Sequence, residues 1–140
     1  MADGDPAALA LIITALENST LDDAVARKLE KLAENHASVP VLGITGTGGA
    51  GKSSLTDEVI RRFRLYSAEP RIAVVAVDPS RRKTGGALLG DRIRMNAISG
   101  DNIYMRSLAT RGGGSEVPES LPAIVGACKA AGFDLVIIET

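Results

Sequence analysis

Gly46, Gly51, Lys52 and Ser53 have the types and the spacing of a loop that binds phosphate. They fit the pattern G-x-x-x-x-G-K-[ST]. Glycines let the backbone curl so that several N–H groups point at one anion, and a helix that starts there adds the positive end of its dipole. The lysine can reach the terminal phosphates of a nucleotide, and the serine hydroxyl can ligate Mg²⁺. A glycine-rich turn that matches the pattern by chance is the alternative interpretation.

The residues on either side of this loop predict the elements that it requires. An apolar run precedes it and predicts a strand at about Val41–Thr45, and a helical pattern follows over Lys52–Tyr66. A strand, a glycine loop and a helix in this order are the setting that a phosphate-binding loop needs. The helix is expected to bury an apolar stripe made of Leu55, Val59, Phe63 and Tyr66.

Acidic residues follow two further predicted strands. Asp78 comes after the apolar run Arg71–Val77, and Glu139 comes after Phe133–Ile138. Because ligands of parallel sheets bind beyond the carboxyl ends of the strands, both acids can converge with the loop at one edge. Asp91 is a third candidate, and all three supply the oxygen ligands that Mg²⁺ prefers. Asp78 could instead cap a turn, and Asp91 could cap a helix.

Other patterns complete a prediction of alternating strands and helices. A strand is predicted at Asn102–Leu108, and a helix around Pro118–Ala131 that ends near Gly132. That helix is expected to bury Leu121, Ile124, Val125 and Cys128. Such βαβ alternation predicts an α/β fold with a mostly parallel sheet.

Two helices are predicted ahead of the first strand, as a hairpin packed on the later domain. The first carries apolar residues at helical spacing from Leu9 to Leu16. The second starts near Thr20 and ends near His36. Its expected apolar stripe is Leu21, Val25, Leu29 and Leu32. His36, the single histidine, is interpreted as a cap or a solvated side chain, with catalysis or metal ligation as the alternative.

Composition narrows the class of protein. The chain has 140 residues, 45% of them hydrophobic, and a net charge of −1, which argues against a nucleic-acid partner. The single cysteine, Cys128, rules out an internal disulfide, fits a reducing compartment and is interpreted as a buried structural thiol. No apolar stretch approaches the roughly 20 residues that cross a bilayer. The acidic N-terminus lacks the basic start of a signal peptide, so a cytoplasmic protein without a membrane partner is predicted.

Five stretches in order resemble the MeaB/ArgK family of P-loop GTPases, once labelled LAO/AO transport system kinases. They are Leu42–Ser54, Val77–Ser80, Thr84–Met95, Ser107–Gly112 and Asp134–Thr140. The resemblance covers Val39–Thr140, and the stretches Gly46–Ser54 and Arg81–Asn96 look most similar to the GTPase domain of fused isobutyryl-CoA mutases.

This resemblance implies a fold and a function. The fold would be the three-layer P-loop NTPase fold, with a helical extension at 1–38 and the N-terminal half of a GTPase domain at 39–140. The family's proteins bind and hydrolyse GTP with Mg²⁺. They act as chaperones of adenosylcobalamin-dependent acyl-CoA mutases of the methylmalonyl-CoA or isobutyryl-CoA type, separate or fused. The full-length protein would be a homodimer.

The resemblance also implies roles for individual residues. Lys52, Asp91 and Glu139 would be catalytic, and the Asp78–Asp91 segment would be switch I. The nucleotide would be held by Gly46, Gly48, Gly49, Ala50, Gly51, Lys52, Ser53, Ser54 and Arg94. Mg²⁺ would be surrounded by Ser53, Asp78, Asp91, Glu139 and Thr140.

Two other functions stay open at this point. The same loop could serve a P-loop kinase or ATPase, or the chain could be a non-catalytic nucleotide-binding fragment. Nothing among these residues reads guanine, and the chain is expected to end before the family's switch II and guanine motif. It carries no cobalamin-binding signature such as D-x-H-x-x-G and no mutase barrel.

Overall fold

The computed structural model describes residues 6–46, 51–78, 102–109 and 117–140. In these ranges the helices are α1 (Pro6–Glu17), α2 (Asp23–Asn35), α3 (Lys52–Tyr66) and α4 (Leu121–Ala130). The strands are β1 (Val41–Ile44), β2 (Ile72–Asp78), β3 (Ile103–Ala109) and β4 (Leu135–Glu139). No helix among the described residues is long and apolar enough to cross a membrane.

The four described strands form one parallel sheet in the order β1-β4-β2-β3. β4 lies between β1 and β2, so that Glu139 is opposite Ile44 on one side and Ala76 on the other. The carboxyl ends of β1, β2 and β4 therefore meet at one edge. The predicted α/β class with a parallel sheet is confirmed.

Both faces of the sheet are covered, which gives three layers. β2 shows this most clearly, because alternate side chains of a strand point to opposite faces. Ala73, Val75 and Val77 belong to a cluster with residues of α1 and α4, whereas Ile72 and Val74 belong to a cluster that contains Ile60 of α3. A strand that is apolar on both faces is typical of a parallel sheet with helices on either side. The predicted three-layer arrangement is confirmed.

The α3 helix has the predicted bounds, but a different face of it is buried. Leu55 is 53% exposed and Tyr66 is 88% exposed, so the prediction that both are buried is wrong. Thr56 and Ile60 are fully buried instead, and Phe63 and Val59 pack partly against the same core. The inward stripe follows positions i, i+4 and i+7 from Thr56. Sequence hydrophobicity missed it because its first member is polar.

The two N-terminal helices pack on the later part of the chain as predicted. Both α1 and α2 contact α4, and Leu9 and Ile13 of α1 are fully buried in the cluster shared with the sheet. On α2, Leu29 is buried, whereas Val25 and Leu32 of the same predicted apolar stripe are 40% and 41% exposed. The domain boundary at residue 38 stays a prediction.

The α2 ends are set by capping. The carboxylate of Asp22 accepts the backbone N–H of Ala24 at 2.8 Å, so Asp22, and not Thr20, is the N-cap. The Thr20 hydroxyl turns back to the Ala15 carbonyl, which explains why the predicted start is wrong. At the other end His36 is the C-cap, and its Nδ1 lies 2.9 Å from the Leu32 carbonyl oxygen. The capping interpretation of His36 is confirmed.

The remaining bounds differ from the predictions by one to three residues. β1 ends one residue earlier than predicted, β2 and β3 begin and end one residue later, and β4 begins later and takes in Glu139. α4 begins at Leu121, and Gly132, with a φ of 90°, follows its end as predicted. Ile124 and Cys128 are fully buried there, whereas Val125 is only half-buried.

Candidate functional site

The flanks of the phosphate-loop motif have the conformation that the motif requires. β1 ends at Ile44, and Gly51 forms the N-cap of α3 with a φ of 87°. That left-handed conformation has little cost for glycine and a steric cost for other residues. The Leu55 N–H donates to the Gly51 carbonyl at 3.0 Å and so starts the helix. The first residues of α3 therefore come directly after the loop, with the helix N-terminus at its end.

Lys52 and Thr140 bring the start of α3 to the end of β4. The Lys52 ammonium donates to the Thr140 carbonyl. The Thr140 N–H in turn donates to the Ile44 carbonyl at 2.9 Å, which continues the ladder between β1 and β4. Lys52, Thr140 and the carboxyl end of β1 thus lie next to one another at the edge of the sheet.

A buried hydroxyl links the same helix to the acid of β4. Thr56 Oγ1 lies 3.0 Å from Glu139 Oε2 and 3.0 Å from the Lys52 carbonyl oxygen. Thr56 is fully buried, and among the residues that the structure describes it is the one polar residue in the buried class. Sequence reasoning did not single it out. The available signal was a polar residue four positions after Lys52, at helical spacing from the apolar Ile60.

The structure brings together some of the predicted site residues. Lys52, Glu139 and Thr140 converge at the carboxyl edge, with Gly46 and Gly51 at the two ends of the loop. Ser54 is exposed in the first turn of α3. The backbone of Asp78 ends β2 two residues beyond Ala76, the partner of Glu139, and so lies at the same edge.

Other predicted residues lie outside this description. The side chains of Ser53 and Asp78 are not described, and neither are Gly48, Gly49, Ala50, Asp91 and Arg94. The predicted switch I, apart from the backbone of Asp78, also falls outside the described ranges. The roles assigned to these residues stay predictions.

The donor chemistry at this edge suits a hard cation. Glu139 offers carboxylate oxygens, and Mg²⁺ is bound through one or two carboxylates together with phosphate oxygens and waters. Within ranges 6–46, 51–78, 102–109 and 117–140 there is no group of three or more His, Cys, Asp or Glu residues that could hold a metal ion. The predicted magnesium set therefore depends on Asp78 and Asp91 joining Glu139.

Cys128 takes no part in this edge. It lies on α4 in the cluster on the other face of the sheet from Ile60, and it is fully buried. Burial raises the pKa of its thiol to about 12, so the thiol is protonated at neutral pH and is a poor nucleophile. The interpretation of Cys128 as a structural thiol agrees with this environment.

Comparison with known proteins places these features in a family context. The family model for methylmalonyl-CoA mutase-associated GTPase MeaB matches residues 9–140. A fused isobutyryl-CoA mutase of Cupriavidus metallidurans is 65% identical over 138 residues, which are 98% of this chain and 12% of that protein. A protein of Caulobacter vibrioides named "Putative GTPase" is 42% identical over 142 residues, which are 98% of this chain and 42% of that protein. The chain thus spans about an eighth of the first relative and about two fifths of the second.

A solved structure is also similar. It is the crystal structure of an LAO/AO transport system kinase, with a TM-score of 0.45 and 25% identity, covering 97% of this chain and 44% of that one.

Proposed function

Because this chain belongs to the family of methylmalonyl-CoA mutase-associated GTPases, we propose that it binds GTP and hydrolyses it with Mg²⁺. We propose further that it acts as a chaperone domain for an adenosylcobalamin-dependent acyl-CoA mutase. The observation that carries the first proposal is the meeting of Lys52 with Thr140, and of Thr56 with Glu139, beside the phosphate-loop motif. A cation, a carboxylate and a helix N-terminus at one sheet edge are what phosphate and its metal require.

The mechanism follows from positioning and charge. Phosphoryl transfer to water needs little covalent chemistry from a protein, so catalysis rests on holding the phosphates and stabilising charge in the transition state. Lys52 would place its ammonium against the terminal phosphates, and the N-terminus of α3 would add its partial positive charge. The residues proposed to bind the nucleotide with Lys52 are Gly46, Gly48, Gly49, Ala50, Gly51, Ser53, Ser54 and Arg94.

The metal is proposed to be held by oxygen donors of this chain. These are Ser53, Asp78, Asp91, Glu139 and Thr140. When bound, Mg²⁺ would neutralise the charge that develops on the β- and γ-phosphate oxygens. Asp91 and Glu139 would orient the metal and the attacking water at the carboxyl edge of the sheet.

Competition between nucleotides tests the base preference. GTP should displace a fluorescent GDP analogue from the full-length polypeptide at a lower concentration than ATP does. Displacement by ATP at equal or lower concentration would contradict the assignment as a GTPase. Transfer of the γ-phosphate to an added acceptor, in place of release as inorganic phosphate, would assign a kinase.

A lysine pair tests whether the loop is the binding site. Lys52→Ala should reduce GTP affinity by at least about 100-fold, because hydrogen bonds between charged groups, here the ammonium and the terminal phosphates, are strong. Lys129→Ala is the matched control, since Lys129 lies in the last turn of α4, away from the loop. Equal affinities of the two variants would show that nucleotide binds elsewhere.

The partner is proposed from the relatives. A fused isobutyryl-CoA mutase with 65% identity favours a mutase that acts on isobutyryl-CoA or methylmalonyl-CoA, either on the same polypeptide or separate. Nucleotide state would change the order of the 78–91 segment and thereby the grip on the mutase. A homodimer of the full-length protein and a cytoplasmic location complete the proposal.

The chaperone role is tested by mutase activity after cofactor loading, measured with GTP, with GDP and with a non-hydrolysable GTP analogue. Equal recovery of activity in all three would contradict a chaperone role.

A further inference from the structure

We propose that Thr56 is a positioning residue of the nucleotide site, whose buried hydroxyl fixes the Glu139 carboxylate at the carboxyl end of β4. This inference rests on the proposed function, because it gives Thr56 a role in holding the magnesium side of a bound nucleotide. It starts from the position of Thr56, which is fully buried on α3 and lies 3.0 Å from Glu139 Oε2.

The hydroxyl has two acceptors and only one proton. Thr56 Oγ1 is 3.0 Å from the Lys52 carbonyl oxygen and 3.0 Å from Glu139 Oε2, so it can donate to one of them at a time. In an α-helix the Lys52 carbonyl also accepts the backbone N–H four residues later, which is that of Thr56 itself. A hydrogen bond to a carboxylate is about twice as strong as one between neutral groups. The proton is therefore directed to Glu139.

Fixing this carboxylate matters because of where it lies. Glu139 is half-buried at the end of a strand, and a glutamate side chain has enough rotatable bonds to lose substantial entropy when it is ordered. A hydroxyl that already holds one oxygen reduces that cost before a metal arrives. Misplacement by about 1 Å can reduce catalysis about 100-fold, so orientation by Thr56 has a measurable consequence.

A purely structural role is the competing explanation. Threonine hydroxyls often donate to the carbonyl four residues earlier in a helix, and such a bond requires nothing from Glu139. The two roles differ in one respect. A structural hydroxyl stabilises α3 in every state of the protein. A positioning hydroxyl affects only the properties that depend on the Glu139 carboxylate, such as Mg²⁺ binding.

Two substitutions of the full-length polypeptide separate these roles. Thr56→Val keeps the shape and removes the hydroxyl, and Thr56→Ser keeps the hydroxyl and removes a methyl group. Thermal unfolding and circular dichroism first establish that both variants fold. A fluorescent GDP analogue then reports affinity without Mg²⁺, in EDTA, and the Mg²⁺ concentration that half-maximally slows its release.

The expected result is specific to the metal. Thr56→Val should raise that half-maximal Mg²⁺ concentration about tenfold, with Thr56→Ser within about twofold of the wild type, because only the valine loses the donor. GDP affinity in EDTA should stay within about twofold for both variants, since the phosphates are held by backbone N–H groups and Lys52. In a Glu139→Gln background, Thr56→Val should have little further effect on Mg²⁺ dependence.

Three outcomes of the measurements on the variants would overturn the proposal. They are an equal effect of valine and serine, a loss of affinity in EDTA as large as the loss in Mg²⁺, and additive effects of Thr56→Val and Glu139→Gln. A wild type that binds no GTP or GDP would refute the proposed function and this inference with it. A wild type that binds Mg²⁺–GDP without hydrolysing GTP would refute hydrolysis alone, and the Mg²⁺ measurements would still decide the role of Thr56.

Discussion

Arg106 of β3 and Glu17 of α1 form an ion pair across 89 residues of sequence, with Arg106 Nη2 at 2.8 Å from Glu17 Oε1. The same nitrogen donates to the Thr14 hydroxyl at 2.9 Å, and both charged side chains are about a quarter exposed. The pair ties the first helix to an edge strand of the sheet. Arg106 Nε, by contrast, is buried without a hydrogen-bond partner.

Removal of either partner of this pair should destabilise the fold. Glu17→Gln or Arg106→Met leaves the other charge half-buried without its ion pair and should lower the free energy of unfolding by about 1–3 kcal/mol. The Glu17→Gln/Arg106→Met double variant should lose less than the sum of the two. Urea denaturation measures all three, and additive losses would show that the two side chains do not interact.

The buried face of α3 can be tested with one matched pair of substitutions. Ile60→Ala should lower the free energy of unfolding by about 2–5 kcal/mol, because it opens a cavity beside the sheet. Leu55→Ala removes the same kind of group from an exposed position and should change it by only about 0.5 kcal/mol. A larger loss for Leu55→Ala, in denaturant unfolding at the same pH, would restore the helix face predicted from sequence.

Gly51 should be more sensitive to alanine than Gly43. Gly51→Ala puts a side chain on a residue with a φ of 87° and should cost about 1–2 kcal/mol without nucleotide, measured by thermal unfolding. Gly43→Ala is the control, because its added Cβ meets no atom within 4 Å in β1 and alanine loses less backbone entropy. Similar costs at the two positions would mean that the loop does not impose the left-handed conformation.

Cys128 should make stability fall at high pH. Its folded-state pKa of about 12 lies above the value of 9.0 for an unperturbed thiol, so the unfolded state releases the proton first. The contribution is fully present below pH 9 and is lost between pH 9 and 12, with a slope of about 1.4 kcal/mol per pH unit. Cys128→Ala should lack this component of the slope, although its stability at neutral pH is lower. Parallel curves for the two proteins across pH 9–12 would contradict the burial of the thiol.

Sequence patterns predicted the architecture well where a single physical rule decided it. The α3 bounds follow from a glycine loop at one end and an apolar-periodic segment after it, and both were visible in the sequence. The apolar run of β2 predicted a strand covered on two faces, which the two clusters confirm. Its bounds moved by one residue because strand ends are set by neighbouring strands, here the pairing of Asp78 with Ala109.

Prediction from sequence failed where a tertiary contact overrode local chemistry. Thr56 is buried because its hydroxyl meets Glu139, 83 residues later in the chain, and hydrophobicity alone assigned that face to Leu55. Asp22 displaced Thr20 as the cap of α2 because a charged acceptor satisfied the backbone there. In the candidate site, the contact of Lys52 with Thr140 depends on the strand order, which none of the sequence patterns predicted.

The two faces of the central sheet have separate linings. Ile60 and the inward face of α3 line one face, with the phosphate loop leading into the N-terminus of that helix, and α1 and α4 line the other. β2 and β4 separate the two clusters, and alternate side chains of both strands contribute to each of them. Substitutions around Ile13 and Ile124 therefore change the stability of the sheet without altering the side chains that pack α3 on its other face. The face covered by α1 and α4 can therefore change in evolution while the face covered by α3 stays the same.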